Sequence, residues 1–228
     1  MTTNNIAIFS DQRAANYDTF VHDWIPFYPQ LLEMIPSMLD LTMSPSQNSI
    51  LVVGSGTGNE LLTLAQKRPD WALWGIDPSP DMVIQAREKL AAFPQVQVRE
   101  GYVADLAEIP AYSAATLLLV LHFLPDDGSK LDLLQQIAQR LQAGAPLIIA
   151  DIYGTAQELE RNLEFLRAML PPHLSADAVK ERIQALPQRI QHIPESRLAE
   201  LLQESGFEPP RRFFQAAIYG GWLTRKAL

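Results

Sequence analysis

The chain has 228 residues, 47% of them apolar, with 26 acidic side chains against 18 basic ones and no cysteine. This length and apolar content favour one globular domain over residues 1–228 and argue against a disordered or fibrous chain. Without cysteine, the sequence excludes disulfides, thiolate metal sites and a cysteine nucleophile. The net charge of −8 and the lack of a basic run argue against nucleic acid or an anionic membrane as a partner.

From the sequence we expect no targeting or membrane segment. Its start, residues 1–11, lacks the basic residues and long apolar core of a secretory signal. The longest apolar stretch, residues 114–124, falls far short of the roughly 20 residues that span a bilayer. We therefore expect a cytoplasmic protein.

Short apolar runs alternate with segments of helical periodicity, which predicts an α/β fold. Helical segments separate five predicted strands, and these lie at residues 50–53, 71–76, 96–98, 116–121 and 147–150. We expect residues 47–152 to form the core of this fold, with the most apolar strand near the centre of the sheet.

Helical additions are predicted on both sides of this core. Residues 1–46 have helical character that several prolines interrupt, and we expect them to form a lid. After the core, three helical stretches form a predicted insertion or cap, residues 153–206. The final strands are expected within residues 207–228, and the run from Phe213 to Trp222 reads as one strand.

The clearest candidate site lies where the first two predicted strands end. The first strand runs into the loop Gly54-Ser55-Gly56-Thr57-Gly58, whose backbone can approach a ligand closely. The second strand ends at Asp77, whose carboxylate can accept hydrogen bonds from the two adjacent hydroxyls of a ribose. In open parallel sheets, ligands bind at these strand ends. The pair therefore predicts a cofactor that contains a nucleoside.

The loop does not fit the patterns of two common nucleotide-binding proteins. A dinucleotide fingerprint requires glycine or alanine at the position that Asn59 occupies, so a nicotinamide oxidoreductase is disfavoured. The phosphate-binding pattern that ends in Gly-Lys and a hydroxyl residue is absent as well.

Several motifs together resemble those of class I S-adenosylmethionine-dependent methyltransferases. They are the loop from Leu51 to Gly58, the segment Gly75–Met82, the run Leu121–Pro125 and the turn Leu141–Ala145. The resemblance implies a doubly wound, Rossmann-like sheet of seven mostly parallel strands with a reversed last strand. It also implies S-adenosylmethionine as cofactor, S-adenosylhomocysteine as product and a small molecule as methyl acceptor.

The same resemblance assigns residues to the methionine and ribose parts of the cofactor. Residues 54–56 would line the methionine part, and Asp77 would hold the ribose hydroxyls. Leu119 would lie beneath the sulfonium, and Tyr28 would close the pocket from the N-terminal helices.

Four further residues are implied at the adenine. Pro78 and Met82 would flank the base, while Tyr102 and Val103 would lie at its edge. No metal is expected, because the four histidines are scattered and show no ligand spacing.

The chain departs from the family pattern at two acidic positions. The family has an acid two residues before the first glycine of the loop, where this chain has Val52. A second acid, near the third strand, is replaced by Tyr102. Asp105 either substitutes for it or caps a turn. These changes remove contacts to the cofactor's amine and adenine.

A closer likeness connects the runs Leu121–Leu124 and Phe213–Gly221 with carboxy-S-adenosylmethionine synthases. Those enzymes make a carboxylated cofactor. They have an acid where this chain has Tyr102, an asparagine at Leu118 and an arginine that Arg182 approximates. This activity is an alternative to methyl transfer, and a non-catalytic protein that binds S-adenosylmethionine is another.

Methyl transfer to oxygen or nitrogen often needs a base, and His122 is the candidate because it follows the fourth predicted strand. Its other interpretation is a residue of the cleft wall. Asp151 is expected to be a turn carboxylate, and the arginines of the insertion are expected to be solvated. Aromatic residues of the first helices would form a lid or belong to an amphipathic helix that packs on the sheet; these are Tyr17, Trp24, Phe27 and Tyr28. The sequence leaves the acceptor and the oligomeric state open.

Overall fold

The computed structural model describes residues 16–44, 46–107 and 112–228. Seven strands form one sheet in the order β3-β2-β1-β4-β5-β7-β6. β1 to β5 run parallel, whereas β7 is antiparallel to both β5 and β6. The strands are β1 (Ser49–Val53), β2 (Ala72–Asp77), β3 (Val96–Glu100), β4 (Ala114–Leu118), β5 (Pro146–Ile152), β6 (Arg211–Ala216) and β7 (Tyr219–Arg225). The predicted mostly parallel sheet with a reversed last strand is confirmed.

Eight helices are described around this sheet. They are α1 (Tyr17–Trp24), α2 (Tyr28–Thr42), α3 (Asn59–Lys67), α4 (Pro80–Lys89), α5 (Ser129–Arg140), α6 (Ala156–Met169), α7 (Ala176–Arg189) and α8 (Glu195–Glu204). Among them, none combines the length and the hydropathy that a membrane crossing requires.

The helices cover both faces of the sheet because its central strands are apolar on both sides. Successive side chains of a strand point to opposite faces. Ile50 and Val52 accordingly pack in a core with residues of α1 to α4, α6 and α7. Leu51 and Val53 pack in a second core with residues of α5 and α8. Because β1 is apolar on both faces, it is buried between the two helical layers, and the glycine loop follows it at its carboxyl end.

Two strand boundaries predicted from apolar runs are wrong. β4 ends at Leu118, because Leu119 has a φ of 60° and residues 121–123 form a short 3₁₀ helix. The predicted single strand from Phe213 to Trp222 is a hairpin, because Ala217 has a φ of 50° and turns the chain between β6 and β7. Left-handed backbone does not continue a strand.

The prolines of the predicted lid interrupt it only in part. Pro26 lies between α1 and α2, and Pro29 lies in the first turn of α2, where proline is tolerated. Pro36 stays inside α2 and is buried, so the packing of this helix on the sheet outweighs the lost backbone hydrogen bond. Residues 1–15 and Pro45 of the expected lid lie outside the described residues.

Gly58 joins the glycine loop to α3 and offers a test of the packing between loop and helix. Its φ is +85°, and a Cβ there would lie 2.9 Å from Leu90 Cδ1 and 3.2 Å from Ala86 Cβ. We expect Gly58→Ala to lower the free energy of unfolding by roughly 2–4 kcal/mol, because it adds both backbone strain and overlap. Denaturant unfolding measures this change.

Gly206 provides the matched control. Its φ is +83°, and a Cβ there would meet nothing within 4 Å. Gly206→Ala should therefore cost only the backbone strain, about 1–2 kcal/mol. Equal losses in the two variants would contradict close packing of Gly58 against α4.

Candidate functional site

The candidate site lies at the carboxyl ends of β1, β2 and β4, where the strand order reverses between β1 and β4. The glycine loop leaves β1 here, and Gly54 has a φ of +70°. A Cβ at Gly54 would overlap the Val120 side chain. Only glycine lets the backbone pass so close to the segment that follows β4, and this brings the two strand ends into one site.

Asp77 connects the loop with the next helix. It is buried, and its Oδ2 accepts a hydrogen bond from the Gly56 N–H at 2.8 Å while its Oδ1 accepts one from the Ser79 N–H at 2.9 Å. Burial raises the pKa of Asp77, and these two backbone bonds oppose the rise. Each carboxylate oxygen keeps a second lone pair, with which it can accept a hydrogen bond from a ligand.

A cavity of about 270 Å³ lies on one side of Gly54. Three of the residues implied at the adenine line it, namely Pro78, Tyr102 and Val103. Asp105 also lines this cavity, and its Oδ2 accepts a hydrogen bond from the Tyr102 N–H at 2.8 Å. Asp105 therefore caps the turn that presents Tyr102.

Gly54 also lines a smaller hollow of about 20 Å³. Tyr28 and Leu119 line it, as the resemblance implies, together with Leu118 and residues 54–57. Tyr17 of α1 also lines it, although the sequence assigned Tyr17 only to the aromatic lid. The two hollows thus share Gly54 as a lining residue.

The aromatic lid is only partly formed over this hollow. Phe27 is exposed and does not line either hollow. Trp24 stacks on Phe20 within α1, with the ring centres 6.4 Å apart. The tyrosines, rather than all the predicted aromatic residues, therefore cover the site.

Glu60 also lines the smaller hollow, and sequence reasoning missed it. The side chain is buried, and within the described part of the chain its Oε1 accepts no hydrogen bond. Ser55 Oγ, at the same hollow, likewise has no hydrogen-bond partner there. Burial raises the pKa of Glu60 to about 7. In the sequence, the sign of a buried Glu60 is that it stands next to Leu61 and near Leu64 on the apolar face of α3.

A polar network fastens α1 to the glycine loop. Asp18 of α1 accepts hydrogen bonds from Lys89 Nζ at 2.7 Å, Thr57 Oγ1 at 2.5 Å and Asn59 Nδ2 at 2.8 Å. Burial opposes the ionisation of Asp18, but these bonds outweigh it and lower the pKa of its carboxyl. The network holds α1, with Tyr17 beside Asp18, over the loop.

His122 and Asp151 form a buried pair behind the strand ends. The Nδ1 of His122 lies 2.6 Å from Asp151 Oδ1. Asp151 also accepts hydrogen bonds from the N–H groups of Leu121 and Ile152, each at 2.7 Å. The expectation of a turn carboxylate is wrong for Asp151, because the residue lies inside β5 and bridges to the His122 turn. Such a carboxylate keeps the proton on Nδ1 and leaves Nε2 as the basic nitrogen.

The cap is tied to the same turn. The buried Lys130 of α5 donates through Nζ to the carbonyls of Leu121 and Gln191, at 2.5 and 2.8 Å. The Gln191 N–H in turn donates to the His122 carbonyl at 2.8 Å. The connection between α7 and α8 therefore packs directly on the turn that carries His122.

Arg182 of α7 does not have the solvated environment expected for arginines of the insertion. Its guanidinium lies over the rings of Phe20 and Trp24, 4.1 and 4.7 Å from their centres. Burial lowers its pKa. Within residues 16–44, 46–107 and 112–228, no carboxylate lies at ion-pair distance from it. An arginine in this setting can bind a carboxylate of a ligand.

Most residues implied by the resemblance come together at this site, but Asp77 and Met82 line neither hollow. Met82 is buried in the first turn of α4, where its N–H donates to Ser79 Oγ at 3.4 Å. His122 lines neither hollow. The described residues contain no cluster of three side chains suited to hold a metal ion. Contacts of these residues with a ligand stay predictions.

Comparisons with known proteins agree with this geometry. Residues 51–147 match the family model described as a methyltransferase domain. The carboxy-S-adenosyl-L-methionine synthase of Dichelobacter nodosus is 27% identical over 224 residues, which cover 96% of this chain and 92% of that protein. The synthase of Hydrogenovibrio crunogenus is 24% identical over 225 residues, covering 96% and 89%.

Solved structures show the same fold. The CcbJ methyltransferase from Streptomyces caelestis superposes with a TM-score of 0.71 at 19% identity, covering 96% of this chain and 98% of that one. Human N-acetylserotonin methyltransferase in complex with SAM gives a TM-score of 0.59 at 18% identity, covering 87% and 55%. Residues 51–147 are thus similar to a methyltransferase domain, and the chain has the fold of the S-adenosylmethionine-dependent methyltransferases. Its similarity to the carboxy-S-adenosylmethionine synthases extends over nearly the whole chain.

Proposed function

We propose that this protein binds S-adenosylmethionine and transfers its methyl group to a small-molecule acceptor. The observation that carries the proposal is the Asp77 carboxylate at the end of β2, which accepts the Gly56 N–H of the loop whose Gly54 lines two hollows. The larger cavity would take the adenine, the Asp77 carboxylate would take the ribose hydroxyls, and the smaller hollow would take the ammonium end of the amino-acid part.

The residues present fit such a cofactor. Glycine at position 54 lets the loop backbone line both hollows where a Cβ would overlap Val120, and Ser55 Oγ and Glu60 Oε1 are buried polar atoms without a hydrogen-bond partner in the described chain. Buried polar groups are normally paired, so both atoms point to a ligand. When bound, the cofactor supplies an electrophilic methyl group, and the protein supplies position and orientation.

We assign the role of general base to His122. Its Nε2 would take a proton from the acceptor's oxygen or nitrogen, and Asp151 at Nδ1 would orient the ring and stabilise the protonated imidazole. Tyr17 and Tyr28 would exclude water from the reacting groups. The negative net charge favours a small acceptor over a nucleic acid.

Asp77→Ala tests the ribose contact. We expect S-adenosylhomocysteine to bind roughly 10- to 100-fold more weakly, because the variant loses about 1–3 kcal/mol of hydrogen bonding to the ribose. Titration calorimetry measures the dissociation constant. The matched control is Glu100→Ala, since Glu100 pairs with Asp77 in register on β3 but is exposed. Unchanged binding in Asp77→Ala would contradict the placement of the nucleoside.

His122→Ala tests the base. Once a screen with labelled S-adenosylmethionine has found an acceptor, we expect turnover to fall by about 10²- to 10⁴-fold, while cofactor affinity stays the same. Single-turnover kinetics measure the chemical step. His173→Ala is the control, because His173 is largely exposed and pairs with Asp23. Full turnover in His122→Ala would remove the assignment.

A second candidate function is synthesis of a carboxylated S-adenosylmethionine. Relatives of that name match 96% of the chain. The guanidinium of Arg182 is a cation with no carboxylate at ion-pair distance in the described chain. Tyr102 and Leu118 stand against this candidate, because the synthases that the sequence resembles have an acid and an asparagine there.

Mass spectrometry of the ligand retained through purification separates the two candidates. Methyl transfer predicts S-adenosylmethionine or S-adenosylhomocysteine, with retention unaffected in Arg182→Met. A carboxylated ligand that Arg182→Met no longer retains would replace our proposal with the second candidate, because the guanidinium would then bind the added carboxylate. Arg161→Met, on α6 of the same insertion, is the control.

A further inference from the structure

The carboxylate that class I methyltransferases resembling this chain have on the first strand is absent from β1. Its position is held by Val52, which is fully buried. Val52 pairs in register with Thr116 of β4, which is fully buried as well. Neither of these two paired strand positions therefore carries a carboxylate.

Glu60 reaches the same place from the helix above. Glu60 is in the first turn of α3, and Leu61 and Leu64 of that helix pack in one core with Val52. The hydroxyl of Thr116, the register partner of Val52, has no hydrogen-bond partner of its own in the described chain, and it opposes the rise in the pKa of Glu60. A carboxylate is thus present beside this pair of strands, but a different element carries it.

The surroundings of Glu60 leave it without a charge partner. Its Oε1 is buried and accepts no hydrogen bond within the described residues. The hollow that it lines contains no lysine, arginine or histidine among its described residues. Tyr17 and Tyr28 close the hollow, and burial raises the pKa of both, so they stay neutral near pH 7. A buried carboxylate of this kind is matched by a cationic ligand group.

We propose that Glu60 binds the ammonium group of the cofactor's amino-acid part and so selects cofactors that carry an amino acid. This inference rests on the proposed function, because it takes the nucleoside to lie in the larger cavity. The smaller hollow shares Gly54 with that cavity, so the amino-acid end of the same molecule would extend towards it. Glu60 acts here as a binding residue for a group remote from the transferred methyl.

Proton linkage gives this role a distinct signature. Since the pKa of Glu60 is about 7 without ligand, part of the protein holds a protonated Glu60 at neutral pH. An ammonium group binds the ionised form, so binding below pH 7 releases a proton and weakens up to tenfold per pH unit. The titratable groups nearest the hollow are Tyr28 of α2 and Tyr17 and Asp18 of α1. The pKa of each tyrosine is raised and that of Asp18 is lowered, so none of them titrates between pH 6 and 8.

Two ligands separate the amino-acid part from the nucleoside. S-adenosylhomocysteine carries the ammonium group, whereas 5′-methylthioadenosine has the same nucleoside and no amino acid. Titration calorimetry of both, from pH 6 to pH 8, is carried out on the wild-type chain and on Glu60→Gln. Because Asp77 contacts the nucleoside of either ligand, any titration of its carboxyl affects both equally and cancels in their ratio.

We expect Glu60→Gln to weaken S-adenosylhomocysteine about 10- to 100-fold at pH 8 and to leave 5′-methylthioadenosine within about twofold. The wild-type affinity for S-adenosylhomocysteine should rise with pH through 7, and this rise should vanish in the variant. Glu33→Gln is the control, since Glu33 pairs with Lys67 of α3 on the surface, away from the hollow.

Equal weakening of both ligands in Glu60→Gln, or no weakening of either, would overturn the assignment. If the variant does not fold, the wild-type chain decides, because an identical pH dependence for the two ligands overturns it as well. Failure of the wild-type chain to bind either ligand is a different result, and it overturns the proposed function itself.

Discussion

The Asp77 carboxylate joins three pieces of chain on which the whole site depends. It ends β2, accepts the Gly56 N–H of the glycine loop and accepts the Ser79 N–H at the start of α4. Removing a buried acceptor leaves each of these N–H groups without a partner, which is costly. The same side chain that would bind ribose therefore also sets the shape of the loop, and folding and ligand recognition share one interaction.

The sequence could predict this part of the site because local rules mark it. An apolar strand that ends in glycines, followed by a second strand that ends in an acid, places both at one edge of a parallel sheet. Tyr28, Leu119, Pro78, Tyr102 and Val103 followed from the family resemblance, and all of them line the two hollows. These positions can be predicted without knowing how distant segments pack.

Other features depend on tertiary packing and could not be predicted locally. Asp151 and His122 meet because β4 and β5 are neighbours in the sheet, and nothing in their spacing of 29 residues indicates it. From the sequence alone, Glu60 is expected to be a solvated carboxylate in the first turn of a helix. Only the packing of α3 on β1 and β4 buries it. Leu119 and Ala217 have left-handed backbone without glycine, so the apolar runs around them read as continuous strands.

The contacts of Gln191 constrain how the acceptor pocket of such a protein can evolve. Its N–H and carbonyl tie the segment between α7 and α8 to the turn of His122, directly and through Lys130. Helical insertions commonly vary to accommodate new acceptors, because fold does not fix substrate. In this protein, a substitution that reshapes the insertion also shifts the imidazole, so diversification of the acceptor pocket and the rate of chemistry are not independent traits.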